Sequence, residues 1–260
     1  MSVANAKRIV IKVGSSTLTY AGGKPNLRKI EQLAMVISDM KNSGKEVILV
    51  SSGAIAVGVS SLRLKERPTD TRGKQAAAAV GQCDLMSIYD RFFSEYGYKA
   101  AQILINRDVV DHDERKQNVI NTIETLLEMG AVPIINENDS VSVEEILFGD
   151  NDRLSSIVAV LSGADLLIIL SDIEGYYESD PHEDPHASMI AVVHEVTADM
   201  IEAAGGSGSA VGTGGMRTKL EAAQYAMENH INMVIMSGDR PQRMYDLLDG
   251  RNVGTLFKAK

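Results

Sequence analysis

The 260-residue sequence contains a single cysteine, Cys83. It cannot form a disulfide within the chain, which suits a reducing compartment. The stretch around it, "KQAAAAVGQCDLMSIYDRFF", supplies no neighbour that would activate a thiol for catalysis. Long apolar runs are also missing, so no segment is expected to span a bilayer, and "MSVANAKRIV" lacks the apolar region and cleavage site of a signal peptide. A cytoplasmic protein without a membrane partner is expected. No cluster of basic residues occurs and the net charge is −9, which argues against a nucleic-acid partner. An acidic chain can still bind a small anion, because a few lysines, backbone amides or a bound cation focus positive potential locally. There is no low-complexity linker and no internal repeat. With 44% hydrophobic residues the chain reads as one domain with a substantial core.

What is present is a regular alternation. "RIVIKV" (8–13), "EVILVS" (46–51), "AAQILI" (100–105), "AVPIIN" (131–136), "DLLIIL" (165–170) and "INMVIM" (231–236) read as buried strands. Helical periodicity separates them over 27–44, 73–95, 115–129, 152–162 and 215–229, and "GTLF" reads as a last short strand. Apolar strands spaced by helices predict a mainly parallel sheet covered on both faces, an α/β fold of three αβα layers. The polar stretch 173–196, with His182, His186 and His194, lacks cysteine and any HExxH spacing, so a solvated excursion is a better reading than a zinc site.

In such sheets ligands sit beyond the carboxyl ends of the strands. Those ends read "KVGSSTL", "VSSGAIAVG", "INENDSV" and "LSDIEG", all rich in small or polar residues that must converge in space. Lys12 interrupts an apolar strand; it either snorkels at the strand end or aims an ammonium at phosphate, with Gly14, Ser15 and Ser16 offering amide donors behind it. Ser51, Ser52 and Gly53 form a second small-residue junction, which close packing alone could also explain. Asn136, Glu137, Asn138, Asp139, Asp150, Asn151 and Asp152 crowd one stretch. Asp150 or Asn151 could cap the following helix, but capping does not account for the whole set. EF-hand spacing is absent, whereas magnesium needs only one or two carboxylates beside phosphate oxygens. "GTGGMRTKL" (212–220) is not a P-loop, because Lys219 follows Thr218 and precedes Leu220. "GGSGSAVG" follows a helix, so it is a weak dinucleotide signal.

Taken in order, "IVIKVGSSTL", "VSSGAIAVG", "KQAAAAVGQ", "VPIINENDSV", "FGDNDRLSSIVA", "GADLLIILSDIEGYY" and "GTGGMRTKLEAA" resemble the glutamate 5-kinase family of the amino acid kinase superfamily, over nearly the whole chain. The resemblance implies the amino acid kinase fold as a single domain over 1–260, without the C-terminal PUA domain that many members carry. It implies ATP-dependent phosphorylation of the γ-carboxylate of L-glutamate to γ-glutamyl phosphate, the first step of proline biosynthesis, with magnesium bridging the ATP phosphates and no protein ligand to the metal assigned. By the same resemblance Lys12 and Lys219 stabilise the transferring phosphoryl group and Asp172 holds the two lysines by charge pairing. The nucleotide is expected against Lys12, Gly14, Ser171, Asp172, Thr213, Gly214, Gly215, Met216, Arg217, Thr218 and Lys219. Glutamate is expected at Ser52, Gly53, Asn136, Asp139, Asp150 and Asn151. Proline is implied as a feedback inhibitor, and a homo-oligomer is expected. Ser171 stands where the family commonly has Thr, and Arg217 where it commonly has Ser; both bear on the nucleotide loop.

Two other readings stay open on sequence. A sibling kinase for aspartate, acetylglutamate, carbamate or a nucleotide would share the fold and Lys12. A silent sensor of glutamate or proline would share the pocket, although it would have no need of Lys12, Asp172 and Lys219 together.

Overall fold

The computed structural model describes residues 3–141, 151–181, 184, 186–205 and 215–260. One eight-stranded sheet organises them, in the order β3-β4-β2-β1-β5-β7-β8-β6. The strands are β1 Arg8–Val13, β2 Glu46–Ser51, β3 Ala100–Ile105, β4 Val132–Glu137, β5 Leu166–Ser171, β6 Val192–Val193, β7 Asn232–Ser237 and β8 Thr255–Phe257. All pairs from β3 across to β7 are parallel, β8 joins β7 antiparallel, and the short β6 closes that edge parallel to β8. The helices are α1 Ser15–Leu18, α2 Leu27–Asn42, α3 Ala54–Ser61, α4 Thr71–Glu95, α5 Asp113–Glu128, α6 Asn151–Leu161, α7 Ala198–Ala203, α8 Met216–Glu228 and α9 Arg243–Leu248. No helix among the described residues is long and apolar enough to cross a membrane.

Side-chain alternation along each strand divides the core in two. Ile9, Ile11 and Val13 of β1 face one layer, packed with residues of α2, α4 and α9. Val10, Ile48, Val50, Leu167 and Ile169 face the other, packed with α5, α6 and α8. The near-continuous apolar strands of the sequence are thus explained by burial on both faces, and each fully buried Ile, Leu or Val contributes roughly 1.5–3 kcal/mol. Lys12 alternates with Val10, so it lies on the α6/α8 face, flanked in register by Val50 and Ile169.

Two crossings fix the elements around the strand ends. A Cβ on Gly58 of α3 would come within 1.8 Å of the Ala77 carbonyl oxygen, and one on Gly81 of α4 within 1.8 Å of that of Ala54. The two helices therefore touch backbone to backbone, and the glycines in "AIAVGVSS" and "AAAAVGQ" are packing requirements. Gly53, the N-cap of α3, has φ of 106°, a left-handed conformation that favours glycine at the turn from β2. The predicted helix end at Gly44 moves slightly: α2 stops at Asn42, and Gly44 takes φ of 85° in the turn beyond.

Candidate active site

Lys12 and Lys219 meet on one carboxylate. Lys12 Nζ lies 2.5 Å from Asp152 Oδ1 and Lys219 Nζ lies 3.1 Å from Asp152 Oδ2. Asp152 is wholly buried, and the two lysine side chains are only 6% and 7% exposed. Thr218 Oγ1 adds a hydrogen bond to Asp152 Oδ2 at 3.0 Å. Burying charge is costly unless it is paired. Two ammonium groups converge here on one buried carboxylate, an arrangement suited to meeting an incoming anion. Local structure delivers each part: Lys12 from the end of the central strand, Asp152 from the first turn of α6, and Lys219 from the first turn of α8. The N-cap of α8 is Gly215, which makes no side-chain cap, so the amides of Met216, Arg217 and Thr218 add positive potential beside Lys219.

A pocket of about 460 Å³ opens over these groups and is lined by Lys12, Gly14, Ser52, Asp172 and Lys219, among others. Its wall also carries Lys65, Glu66 and Arg67, giving four cations against two anions among the described lining residues. An acidic protein thus concentrates positive charge in a concave surface, the arrangement that focuses an anionic ligand.

Beside the charged centre runs a neutral polar wall. Asn151 Nδ2 donates to Asn136 Oδ1 at 2.7 Å and to Ser52 Oγ at 3.0 Å, and Asn136 Nδ2 donates to Gln82 Oε1 at 3.0 Å. Ser51 Oγ lies 3.0 Å from the Tyr89 hydroxyl, whose complete burial pushes the phenol well above its usual pKa and keeps it neutral. Asp139 is 7% exposed, in the turn that follows β4.

The expected site residues divide accordingly. Lys12, Lys219 and Thr218 converge on Asp152, while Ser52, Asn136 and Asn151 are joined by hydrogen bonds. Gly14, Ser171 and Asp172 line the pocket with Lys12. Met216 begins α8, and Arg217 turns outward to bond Glu221 on its own helix at 2.9 Å. Thr213, Gly214 and Asp150 lie outside the described residues. Asn151 is the first residue of α6 and spends its amide on Ser52 and Asn136, so it does not act as that helix's cap.

The expectation that Asp172 holds the lysines is corrected. Lys12 is level with Ile169 in β5, so Asp172 lies beyond it, past the end of the strand. Its side chain is exposed and, among the described residues, accepts only the Ser171 hydroxyl, at 3.0 Å. Asp152 takes the pairing role because α6 runs beneath the face of β1 from which Lys12 projects. Asp152 is the second residue of "NDRLSSIVAVL", a helix buried at every position except Arg153 and Val160, and a carboxylate in so buried a helix must have a partner; that burial belongs to the fold and is not marked in the sequence.

Residues 7–237 match the model of the amino acid kinase family. The chain is 54% identical, over its whole length and 98% of the other, to the glutamate 5-kinase of Clostridium perfringens (strain 13 / Type A). It is 48% identical to the glutamate 5-kinase of Enterococcus faecalis (strain ATCC 700802 / V583), covering 97% of this chain and 94% of that one. The crystal structure of UMP kinase from Bacillus anthracis superposes with a TM-score of 0.64 at 15% identity, covering 97% and 96% of the two chains, a likeness of fold.

Proposed function

This chain belongs to the amino acid kinase family, and on that premise we propose that it transfers the γ-phosphoryl group of ATP to the side-chain carboxylate of L-glutamate, forming γ-glutamyl phosphate in the cytoplasm as the first step of proline biosynthesis. The observation that carries the reading is the pair of buried lysines on Asp152 at the floor of the pocket. A carboxylate acceptor is already ionised at neutral pH, so the reaction needs no general base. Catalysis reduces to positioning and to neutralising charge on the phosphoryl oxygens. As the acceptor oxygen bonds to the γ-phosphorus and the bond to the ADP oxygen breaks, Lys12 and Lys219 stabilise the transferring group, and Asp152 keeps both ammonium groups aimed. Asp172, Ser171, Gly215 and the first turn of α8 would hold the nucleotide phosphates.

Magnesium fits this site as an ion carried on phosphate. The described residues contain no cluster of three or more His, Cys, Asp or Glu side chains able to hold a metal alone, so magnesium would be held by phosphate oxygens and water as it enters with the nucleotide. On the acceptor side, Ser52, Asn136, Asp139 and Asn151 would receive the α-amino acid head group. Proline carries the same head group and would compete there, so its inhibition should weaken as glutamate rises.

Incubation with ATP, magnesium, hydroxylamine and a panel of amino acids tests the activity, because an acyl phosphate is trapped as its hydroxamate. Hydroxamate formed from glutamate is the expected result. Product from aspartate or acetylglutamate in its place would reassign the substrate, and no product from any acceptor would leave a sensor.

A further inference from the structure

The hydrogen bonds on the acceptor side of the pocket run in one direction. Asn151 Nδ2 has two hydrogens, and three protein acceptors surround it: Asn136 Oδ1 at 2.7 Å, Ser52 Oγ at 3.0 Å and the Ser51 carbonyl oxygen at 3.3 Å. Its donating capacity is spent. Asn151 Oδ1, by contrast, is buried and has no hydrogen-bond partner among the described residues, although the residue is only 1% exposed. A buried acceptor left unpaired is costly, so this oxygen is set for a donor that the free protein does not supply.

The direction is imposed from further out. Asn136 points its oxygen at Asn151 only while its own Nδ2 has an acceptor, and that acceptor is Gln82 Oε1 at 3.0 Å. Gln82 in turn keeps its oxygen inward while its Nε2 donates outward to Gln102 Oε1 on β3, at 3.2 Å. If the Asn136 amide turned over, its NH2 would face that of Asn151, donor against donor. Gln82 follows Gly81, where α4 meets α3 backbone to backbone, so the helix cannot shift to release it.

We propose that Gln82 is a positioning residue for acceptor recognition. It sets the polarity of the Asn136–Asn151 amide pair, joined to the pocket through Ser52, so that the buried Asn151 carbonyl oxygen selects a ligand with an ammonium group, the α-ammonium of an amino acid. The inference rests on the proposed phosphorylation of an amino acid. Gln82 touches no substrate and acts through two asparagines.

Two substitutions separate polarity from packing. Gln82→Met keeps the length and removes the hydrogen bonds, whereas Gln82→Glu keeps an acceptor toward Asn136. Loss of one neutral hydrogen bond in a relay should raise the glutamate KM about tenfold in Gln82→Met, with kcat and the ATP KM within about twofold. Gln82→Glu should stay within about threefold of the parent. In the free protein, the side-chain amide protons of Asn136 and Asn151, followed by 15N NMR hydrogen exchange, should be protected in the parent and in Gln82→Glu but exchange rapidly in Gln82→Met. The proposal is overturned if Gln82→Met leaves exchange and the glutamate KM unchanged, if both variants shift them alike, or if the KM values of both substrates rise together. Absence of glutamate turnover in the parent would reject the proposed activity alone, because the amide exchange still decides the relay.

Discussion

The two ends of β1 each carry an ion cluster, and the clusters are built on opposite charge balances. At the amino end, Arg8 Nε bonds Glu46 Oε2 at 2.6 Å, and its Nη atoms bond the Glu124 carboxylate at 2.5 and 3.2 Å. Asp165 accepts from the backbone amides of Lys7 and Arg8 close by. One guanidinium therefore serves two glutamates, and these glutamates are 45% and 40% exposed, so water carries the excess negative charge. At the carboxyl end one carboxylate serves two ammonium groups, all nearly or wholly buried. The first cluster ties β1 to β2, α5 and the loop before β5; the second brings two cations to one buried carboxylate beside the pocket. The difference separates a structural clamp from a binding centre, although both are salt-bridge networks on one strand.

Asp152→Asn should sharpen the contrast most. It leaves two buried cations without their shared carboxylate, and breaking a buried pair in this way costs roughly 3–5 kcal/mol. Because the lysines also lose their aim, turnover should fall by roughly 10³-fold or more. Steady-state kinetics with a melting curve read both effects, and Asp172→Asn provides the control: equal stability losses in the two would restore Asp172 as the residue that holds the lysines.

Lys12→Ala and Lys219→Ala come next. Each should lower kcat by roughly 10²–10³-fold while changing glutamate binding much less, because the charge they meet develops in the transition state. Normal turnover at saturating ATP would remove that lysine from the mechanism.

Asp139→Ala probes the acceptor side. If Asp139 pairs with the α-ammonium of glutamate, the loss of a charge-assisted bond worth about 1.5–3 kcal/mol should raise the glutamate KM roughly ten- to a few hundred-fold, with the ATP KM much less affected. An unchanged glutamate KM in a folded variant rules the pairing out.

The smallest effect on activity is expected from Arg8→Met. The guanidinium is partly buried and the glutamates are hydrated, so stability should fall by about 1–2 kcal/mol, roughly 2–6 °C in Tm, with kcat unchanged. A large drop in kcat without loss of Tm would break the comparison by making the amino-end cluster functional.

Much of this was legible in the residues themselves. "EVILVS" and "INMVIM" became strands within one residue of the expected limits, because continuous apolar runs bounded by turns leave few other conformations in an α/β chain. Lys12 stood out as a cation in an apolar strand. Ser52, Asn136 and Asn151 stood out as polar residues at strand ends, and they do bond to one another. Gln82 is not marked in the sequence, since an amide in a long helix carries no local signal of an inward-facing acceptor. Asp152 was visible as one of several acids and amides, and nothing in its neighbourhood distinguished it from Asp139 or Asp150.

The sequence by itself determined the order of elements, the two-faced burial of the central strands and the gathering of polar residues at their carboxyl ends, because these depend on the period and composition of local segments. Tertiary structure alone decided which acid meets the lysines. Asp152 is 67 residues from Lys219 and on a different helix. Their contact exists because α6 and α8 pack side by side on the face of β1 from which Lys12 projects. Pairing of buried charges is a property of that shared surface, where low dielectric makes a partner obligatory, and a linear chain does not record which of its carboxylates will be brought there.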